Sequence, residues 1–312
     1  MSLQLGIVVP CYNEEAVLPV TAKKLMALLA NLASAGQVSA DSAIYFVDDG
    51  SKDRTWPIIE AMASADAQIH GIKLSRNQGH QNALIAGLLE TPGDALVSID
   101  ADLQDDVNVI EEMVRHHLAG FEIVYGVRKA RRTDTFFKRS SARLYYRLLA
   151  RMGVDIVEDH ADYRLMGRRA LDAMRGYPEV NLFLRGIVPL LGFRATTVYY
   201  DRAERFAGES KYPLRKMLAL AIDGVTSFSV VPLRMISALG FLVSLFSTLM
   251  IAWAVYGKLF AGDALPGWAS SVIPIYFLGG IQLLSIGVLG EYIAKIYLET
   301  KRRPRFLIEK MI

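Results

Sequence analysis

Between Met235 and Tyr256 the chain carries no charged residue, and Val272 to Gly290 is a second such run. At about 1.5 Å of rise per residue, helices of this length cross a hydrocarbon core roughly 30 Å thick. Buried helices of soluble proteins are rarely so long and uncharged all round, so the two runs are expected to form a transmembrane hairpin. Gly257 to Ser271, which joins them, holds one lysine and one aspartate. Arg215, Lys216 and Arg234 precede the first run, and Lys301, Arg302, Arg303 and Arg305 follow the second. This asymmetry places both ends at the cytoplasmic side. Trp253, Tyr256, Trp268 and Tyr276 sit where an outer aromatic belt belongs, the basic tail suits anionic headgroups, and Glu291 and Lys295 have the spacing of a helical ion pair.

The hydrophobic content of 52% over 312 residues is therefore unevenly spread. Up to residue 212, short β-branched runs alternate with helical periodicity, the pattern of a doubly wound α/β sheet. Leu5 to Val9, Ala43 to Val47, Ala95 to Ile99 and Glu122 to Tyr125 read as strands. Glu15 to Leu32, Thr55 to Ala65, Gln81 to Leu89 and Val107 to Ala119 read as helices, with Pro57 in a first turn. Residues 213–232 form an amphipathic helix, either lying at the membrane surface or facing a core. Three parts result: an α/β domain at 1–212, a juxtamembrane helix at 213–232, and two spans with a basic tail at 233–312.

A net charge of +3, with basic residues not interleaved with aromatics, argues against nucleic acid as a partner. The lone Cys11 excludes an internal disulfide. The opening residues lack the basic flank and cleavage site of a signal peptide, so the α/β domain is expected to stay in the cytoplasm.

Ligands of such sheets gather beyond the C-terminal strand ends, where polar motifs recur in this chain. Asp100-Ala101-Asp102-Leu103-Gln104 follows a strand; if the chain stays extended, Asp100, Asp102 and Gln104 point to one side. Mg²⁺ or Mn²⁺ takes oxygen ligands and is commonly held by one or two carboxylates with substrate phosphates. A polar loop before a helix would look similar. Asp48-Asp49-Gly50-Ser51-Lys52-Asp53 suits a base N–H and ribose hydroxyls. Pro10-Cys11-Tyr12-Asn13-Glu14 offers an aromatic face and acceptors for a nucleotide, or a strand-to-helix connection with Asn13 as cap.

In order and context these loops resemble glycosyltransferase family 2 enzymes with the GT-A (Rossmann-like) fold. Leu74-Ser75-Arg76-Asn77, Asp162-Tyr163-Arg164-Leu165-Met166, the Arg202 to Lys211 loop, Phe277 to Leu283 and Gly287 to Tyr292 resemble the polyisoprenyl-phosphate glycosyltransferases over nearly the whole chain. Within that group the similarity is greatest to bactoprenol glucosyltransferases, which serve O-antigen modification, with dolichyl-phosphate mannose synthases related. The resemblance implies an enzyme of the cytoplasmic membrane that transfers glucose from UDP-glucose to undecaprenyl phosphate.

Residue by residue, it implies nucleotide contacts at Pro10, Tyr12, Asn13, Glu14, Asp49 and Asp100. It implies a Mg²⁺ or Mn²⁺ site at Asp100, Asp102 and Gln104, and acceptor-phosphate contacts at Arg128, Arg139, Arg205, Ser210 and Lys211. Guanidinium groups suit that role, although residues 128–143 also read as the solvated face of a basic helix. A lipid phosphate is already anionic, its second ionisation falling at about pH 6, so the reaction needs no general base. Asp162 is either a base or an orienting group for Arg164 or a sugar hydroxyl. Single displacement would invert the anomeric centre. Mannosyl or aminoarabinosyl transfer, and a non-catalytic nucleotide-binding membrane protein, are the competing readings; a processive synthase would need a Gln-x-x-Arg-Trp motif and more spans. Gly279, Gly280, Gly287 and Gly290 would permit homo-oligomer contacts or packing within the hairpin.

Overall fold

The computed structural model describes residues 2–129, 160–180, 183–201, 226, 229–256 and 267–312. They belong to two compact units, one reaching to Pro213 and taking in Arg302–Ile312, the other running over Leu214–Lys301.

The first unit is built on an eight-stranded sheet of order β7-β5-β6-β4-β1-β2-β3-β8. Its strands are β1 (Leu5–Cys11), β2 (Ala43–Asp48), β3 (Ile69–Leu74), β4 (Ala95–Ser98), β5 (Ile123–Arg128), β6 (His160–Gly167), β7 (Ala195–Tyr200) and β8 (Ile308–Met311). Pairing is parallel between β1 and β2, β1 and β4, β2 and β3, and β5 and β7, whereas β6 and β8 run antiparallel to their neighbours. Every residue of β1 and of β2 is buried, which is why both appear in the sequence as continuous apolar runs: strands covered on both faces have no polar side to present.

Helices α1 (Leu18–Ser34), α2 (Thr55–Ala65) and α4 (Val109–Leu118) pack with Leu5, Ile7 and Val9 on one face of the sheet. Helices α3 (His80–Glu90), α5 (Arg168–Met174) and α6 (Leu184–Leu190) pack with Val8, Val47 and Leu96 on the other. The four strands and four helices expected up to residue 212 are all present. Helix α1 starts later than Glu15 because Val17 and Leu18 donate to the Glu14 carbonyl in a turn, and Pro19 suits the first helical positions.

Three strands beyond the expected four complete the first unit's parallel and antiparallel core, and a further one, β8, closes its edge. The C-terminal segment, read from the sequence as a basic tail, pairs with β3 in the register Ile72 with Met311 and Lys73 with Lys310. Gly71 and Ile312 exchange both backbone hydrogen bonds, at 3.0 and 2.9 Å. A Cβ on Gly71 would lie 2.7 Å from the Ile59 side chain and 3.0 Å from that of Ile312, so glycine is what permits the close fit. Lys73 pairs with Glu309 at 2.8 Å and Lys310 with Glu60 at 2.7 Å. These exposed pairs contribute little by themselves; the strand's main effect is to cover an open sheet edge.

The second unit contains α7 (Val231–Tyr256) and α8 (Gly267–Lys301). Each holds a stretch long and apolar enough to cross a membrane, Val231–Met250 and Phe277–Lys301, and neither stretch is buried by the rest of the chain. Both helices outrun the uncharged runs read from the sequence: α7 begins before Met235, and α8 continues past Gly290 through Glu291 and Lys295. Tyr292 Oη donates to the Ser229 carbonyl at 2.5 Å, tying α8 to the start of α7. Among the described residues, Cβ atoms added at Gly279, Gly280, Gly287 or Gly290 would meet nothing within 4 Å, so the hairpin's own packing does not use them. All of residues 213–232 except 226 and 229–232 lie outside the described residues.

Removing residues 308–312 deletes several ladder hydrogen bonds at roughly 1 kcal/mol each, and should cost the first unit about 3 kcal/mol. Urea unfolding of the truncated and full chains measures this; an unchanged midpoint would mean that β8 contributes nothing to the sheet.

Candidate active site

The strands β1, β2 and β4 end side by side, and their loops enclose a cleft of about 270 Å³. Pro10, Cys11, Tyr12, Glu14, Asp49, Asn77, His80, Asp100 and Asp102 are among its lining residues. Three separately read motifs thus meet in one place.

Backbone and side-chain hydrogen bonds lock these loops together. Asn13, in the left-handed region at φ +55°, donates its N–H to Ser51 Oγ at 2.9 Å and accepts the Lys52 N–H on Oδ1 at 2.8 Å. It therefore joins two loops and is not the cap of α1, whose first turn has no side-chain cap. Asp49 accepts from the N–H groups of Gln78 and Gly79 at 2.7 and 2.9 Å, drawing the 76–79 segment over the end of β2. Gly50 has φ +66°, and a Cβ there would lie 2.6 Å from backbone atoms of Arg76 and Asn77. Only glycine serves both the turn and the close approach.

The Asp100 to Gln104 stretch does not stay extended. It turns, with Leu103 at φ +56°, a conformation a leucine adopts only under constraint. Thr21 Oγ1 on α1 holds the turn by donating to the Ala101 carbonyl at 2.8 Å, and the Gln104 N–H donates to Asp102 Oδ1 at 3.1 Å. Asp100 and Asp102 still share the cleft, but Gln104 is buried and is not among its lining residues. The expectation that all three point one way rested on an extended chain, which the turn at Leu103 replaces.

Negative charge is concentrated here. Burial raises the carboxyl of Asp100 to about 6, with Asp105, Asp162 and Asp102 adding to the rise and His80 opposing it. Burial likewise lifts Asp48 and Asp49 above the ordinary aspartate value, against the pull of their hydrogen bonds. The Cys11 thiol is pushed well up by burial and then by Glu14, Asp48 and Asp100, so it stays protonated and unreactive. Among the described residues, no group of three or more His, Cys, Asp and Glu side chains forms a complete metal-binding set. Two carboxylates at a cleft of this size are the donor set that a hard cation shares with substrate phosphates.

Three arginines and His80 lie among these carboxylates, and sequence reading missed most of their arrangement. His80, the first residue of α3, has Nε2 3.5 Å from Asp100 and 3.8 Å from Asp162. Asp162, on β6, accepts from Arg164 Nη2 at 2.7 Å and lies 3.6 Å from Arg185 Nε. Its carboxylate is thus held by cations, which suits orientation better than proton abstraction. Arg128, at the end of β5, lies 3.3 Å from buried Asp105 and donates to Tyr200 Oη at 3.2 Å; Tyr200 donates to Asp105 at 2.6 Å. Asp105 directly follows Gln104 and has no signal of its own in the sequence, because its partners Arg128 and Tyr200 reach it only through the fold. His80 and Arg185 carry no local motif; only the fold brings them to Asp162. Arg139, Arg205, Ser210 and Lys211 lie outside the described residues.

Residues 6–175 match the model of "Glycosyl transferase family 2". An uncharacterized glycosyltransferase of Bacillus subtilis, YkoT, is 50% identical over 98% of this chain and 91% of its own. The bactoprenol glucosyl transferase of Shigella phage SfX is 40% identical over 98% of this chain and 99% of its own, and the prophage bactoprenol glucosyl transferase homolog of Escherichia coli is 38% identical over 99% of each. Among solved structures, glucosyl-3-phosphoglycerate synthase from Mycobacterium tuberculosis, in complex with Mn²⁺, UDP and phosphoglyceric acid, is 20% identical, with a TM-score of 0.47 over 70% of this chain and 75% of that one.

A cation at Asp100 and Asp102 requires the ionised carboxylates, so proton and metal compete. Saturating Mn²⁺ should raise the thermal midpoint well above pH 6, with the gain fading as the pH falls through that value. A gain independent of pH, measured by thermal unfolding, would place the cation elsewhere.

Proposed function

Because the chain belongs to glycosyl transferase family 2, we propose that this glycosyltransferase moves glucose from UDP-glucose to undecaprenyl phosphate at the cytoplasmic face of a membrane. The observation that carries the reading is the meeting of Asp49, Asp100 and Asp102 with Tyr12 and Glu14 in one cleft. Near full-length identity of 38–40% to bactoprenol glucosyl transferases supports the lipid phosphate and the glucose. Mannose or aminoarabinose would use the same chemistry, and those names favour glucose over both.

In this reading Tyr12, Asn13, Glu14 and Asp49 position the nucleotide, with Pro10 shaping the wall beneath it. Asp100 and Asp102 would hold Mg²⁺ or Mn²⁺ together with the donor's phosphates, and Gln104 supports them through its N–H bond to Asp102. The bound cation would supply neutralisation of the charge that gathers on the departing diphosphate. The acceptor phosphate attacks the anomeric carbon directly; its oxygen forms the new bond while the bond to the diphosphate breaks, and the centre inverts. Since the nucleophile is already an anion, catalysis consists of holding two anionic partners in line. Arg128 is charged under all working conditions and is kept in place by Asp105 and Tyr200, ready for a phosphate oxygen on its exposed side.

The two apolar helices support anchoring in the bilayer from which the lipid substrate comes. Chain connectivity supports their orientation: residues on both sides of the hairpin belong to the first unit, so two crossings return the chain to the side it left. The basic residues that flank the helices support a cytoplasmic location for that side.

The full-length protein in liposomes, given radiolabelled UDP-glucose and undecaprenyl phosphate, is expected to form a β-linked lipid-phosphate glucose in the presence of Mg²⁺ or Mn²⁺. Asp102→Ala should reduce the rate by at least about a hundredfold. An α-linked product would rule out single displacement, and the absence of product with every lipid phosphate tested would refute the acceptor assignment.

A further inference from the structure

Local charge balance distinguishes the two arginine clusters near the cleft. At β5, one cation, Arg128, faces one buried carboxylate, Asp105. At β6 the count differs. Asp162 is contacted by both Arg164 and Arg185 on the same oxygen, Oδ1, at 2.7 and 3.6 Å. Arginine does not lose its proton in proteins, so among the described residues a single carboxylate here meets two permanent positive charges.

The two arginines are not equivalent. Arg164 has a fully buried side chain and makes the short bond, which commits it to Asp162. Arg185 is 36% exposed. Its Nε is buried and lacks a hydrogen-bond partner among the described residues, and its separation from Asp162 exceeds a hydrogen bond. Asp162 thus holds Arg185 in place without neutralising the cluster, and the surplus charge is on the side chain that meets solvent.

Its position is also fixed. Arg185 is in the first turn of α6, where the Leu184 N–H donates to Gln81 Oε1 at 3.2 Å and the Leu184 carbonyl accepts from Arg164 Nη1 at 3.5 Å. Gln81 adjoins His80, which lines the cleft. The order of strands places β6 beside β4 and on the opposite side from β1 and β2. The cleft residues that suit a nucleotide follow β1 and β2, and Asp100 follows β4, so the Arg185 cluster flanks the end of the cleft remote from the nucleoside.

We infer that Arg185 is a binding residue for a substrate phosphate, with Asp162 and Arg164 as its positioning residues. The inference rests on the glycosyl-transfer reading above. Both substrates carry phosphate; the place of β6 assigns Arg185 to the lipid phosphate in preference to the donor's diphosphate. A phosphate oxygen there would meet the surplus positive charge and gain paired, charge-assisted hydrogen bonds.

The test is steady-state kinetics of full-length wild type and Arg185→Gln in liposomes, varying UDP-glucose and undecaprenyl phosphate separately, with UDP binding measured alongside. The expected result is a KM for the lipid phosphate raised by about tenfold to a hundredfold, with the donor KM and UDP affinity held within about twofold. Arg185→Lys should fall between. A rise confined to UDP-glucose would keep the phosphate role but move it to the donor; unchanged KM values for both would overturn the inference. Inactive wild type would instead defeat the glycosyl-transfer reading. If Arg185→Gln does not fold, phenylglyoxal labelling of the wild type decides: farnesyl phosphate should protect the Arg185 peptide and farnesol should not, and equal labelling with both would overturn the assignment.

Discussion

The placement of like charges governs this structure. Asp48, Asp49, Asp100, Asp102, Asp105 and Asp162 all lie at or just beyond the ends of neighbouring strands, and burial raises the carboxyls of Asp48, Asp49 and Asp100 above their ordinary range. A fold gains nothing from bringing ionised carboxylates together in a partly dry cleft; each one disfavours the ionisation of the next. The arrangement becomes economical only when positive charge enters, from the protein's own cations or from a metal ion with its ligands.

The protein's own cations account for part of that balance. Arg128 neutralises Asp105 and Arg164 neutralises Asp162, both in buried contacts where geometry must be good to offset desolvation. Among the described residues, no such partner is provided for Asp100 beyond His80 at 3.5 Å. The carboxylates that the fold pairs internally are therefore distinct from those it leaves facing the cleft, and that division is what gives the proposed cation its place. The strain at Leu103 and the hydrogen bond from Thr21 to Ala101 hold Asp100 and Asp102 where they are.

Much of this was legible in the sequence because buried parallel strands leave an unmistakable trace. β1, β2 and β4 are continuous apolar runs, and the polar residues after them mark the crevice without any tertiary information. β3 was obscured by His70, Gly71 and Lys73, and β6 by Asp162 and Arg164, whose charges are paired only in the folded protein. β8 was unreadable for a different reason: its partner Lys73 is 236 residues from Glu309, and a short strand with Glu309 and Lys310 after a basic stretch looks like a tail. The Asp100 to Gln104 motif was legible as a polar loop after a strand, but the direction of Gln104 depends on a left-handed turn at a leucine, which no residue preference announces. His80 and Arg185, which converge from α3 and α6 on a β6 carboxylate, have no linear signature at all.

On the proposed function, Asp100 is expected to repel a nucleotide diphosphate in the absence of metal and to attract it through the metal when one is present. Calorimetric titration of UDP into wild type and Asp100→Asn, each with Mn²⁺ and with chelator, tests this most directly. A crossover is expected: Mn²⁺ strengthens UDP binding to wild type only, whereas in chelator Asp100→Asn binds UDP more tightly than wild type does. Equal enhancement by Mn²⁺ in both proteins, or weaker metal-free binding by Asp100→Asn, would contradict it.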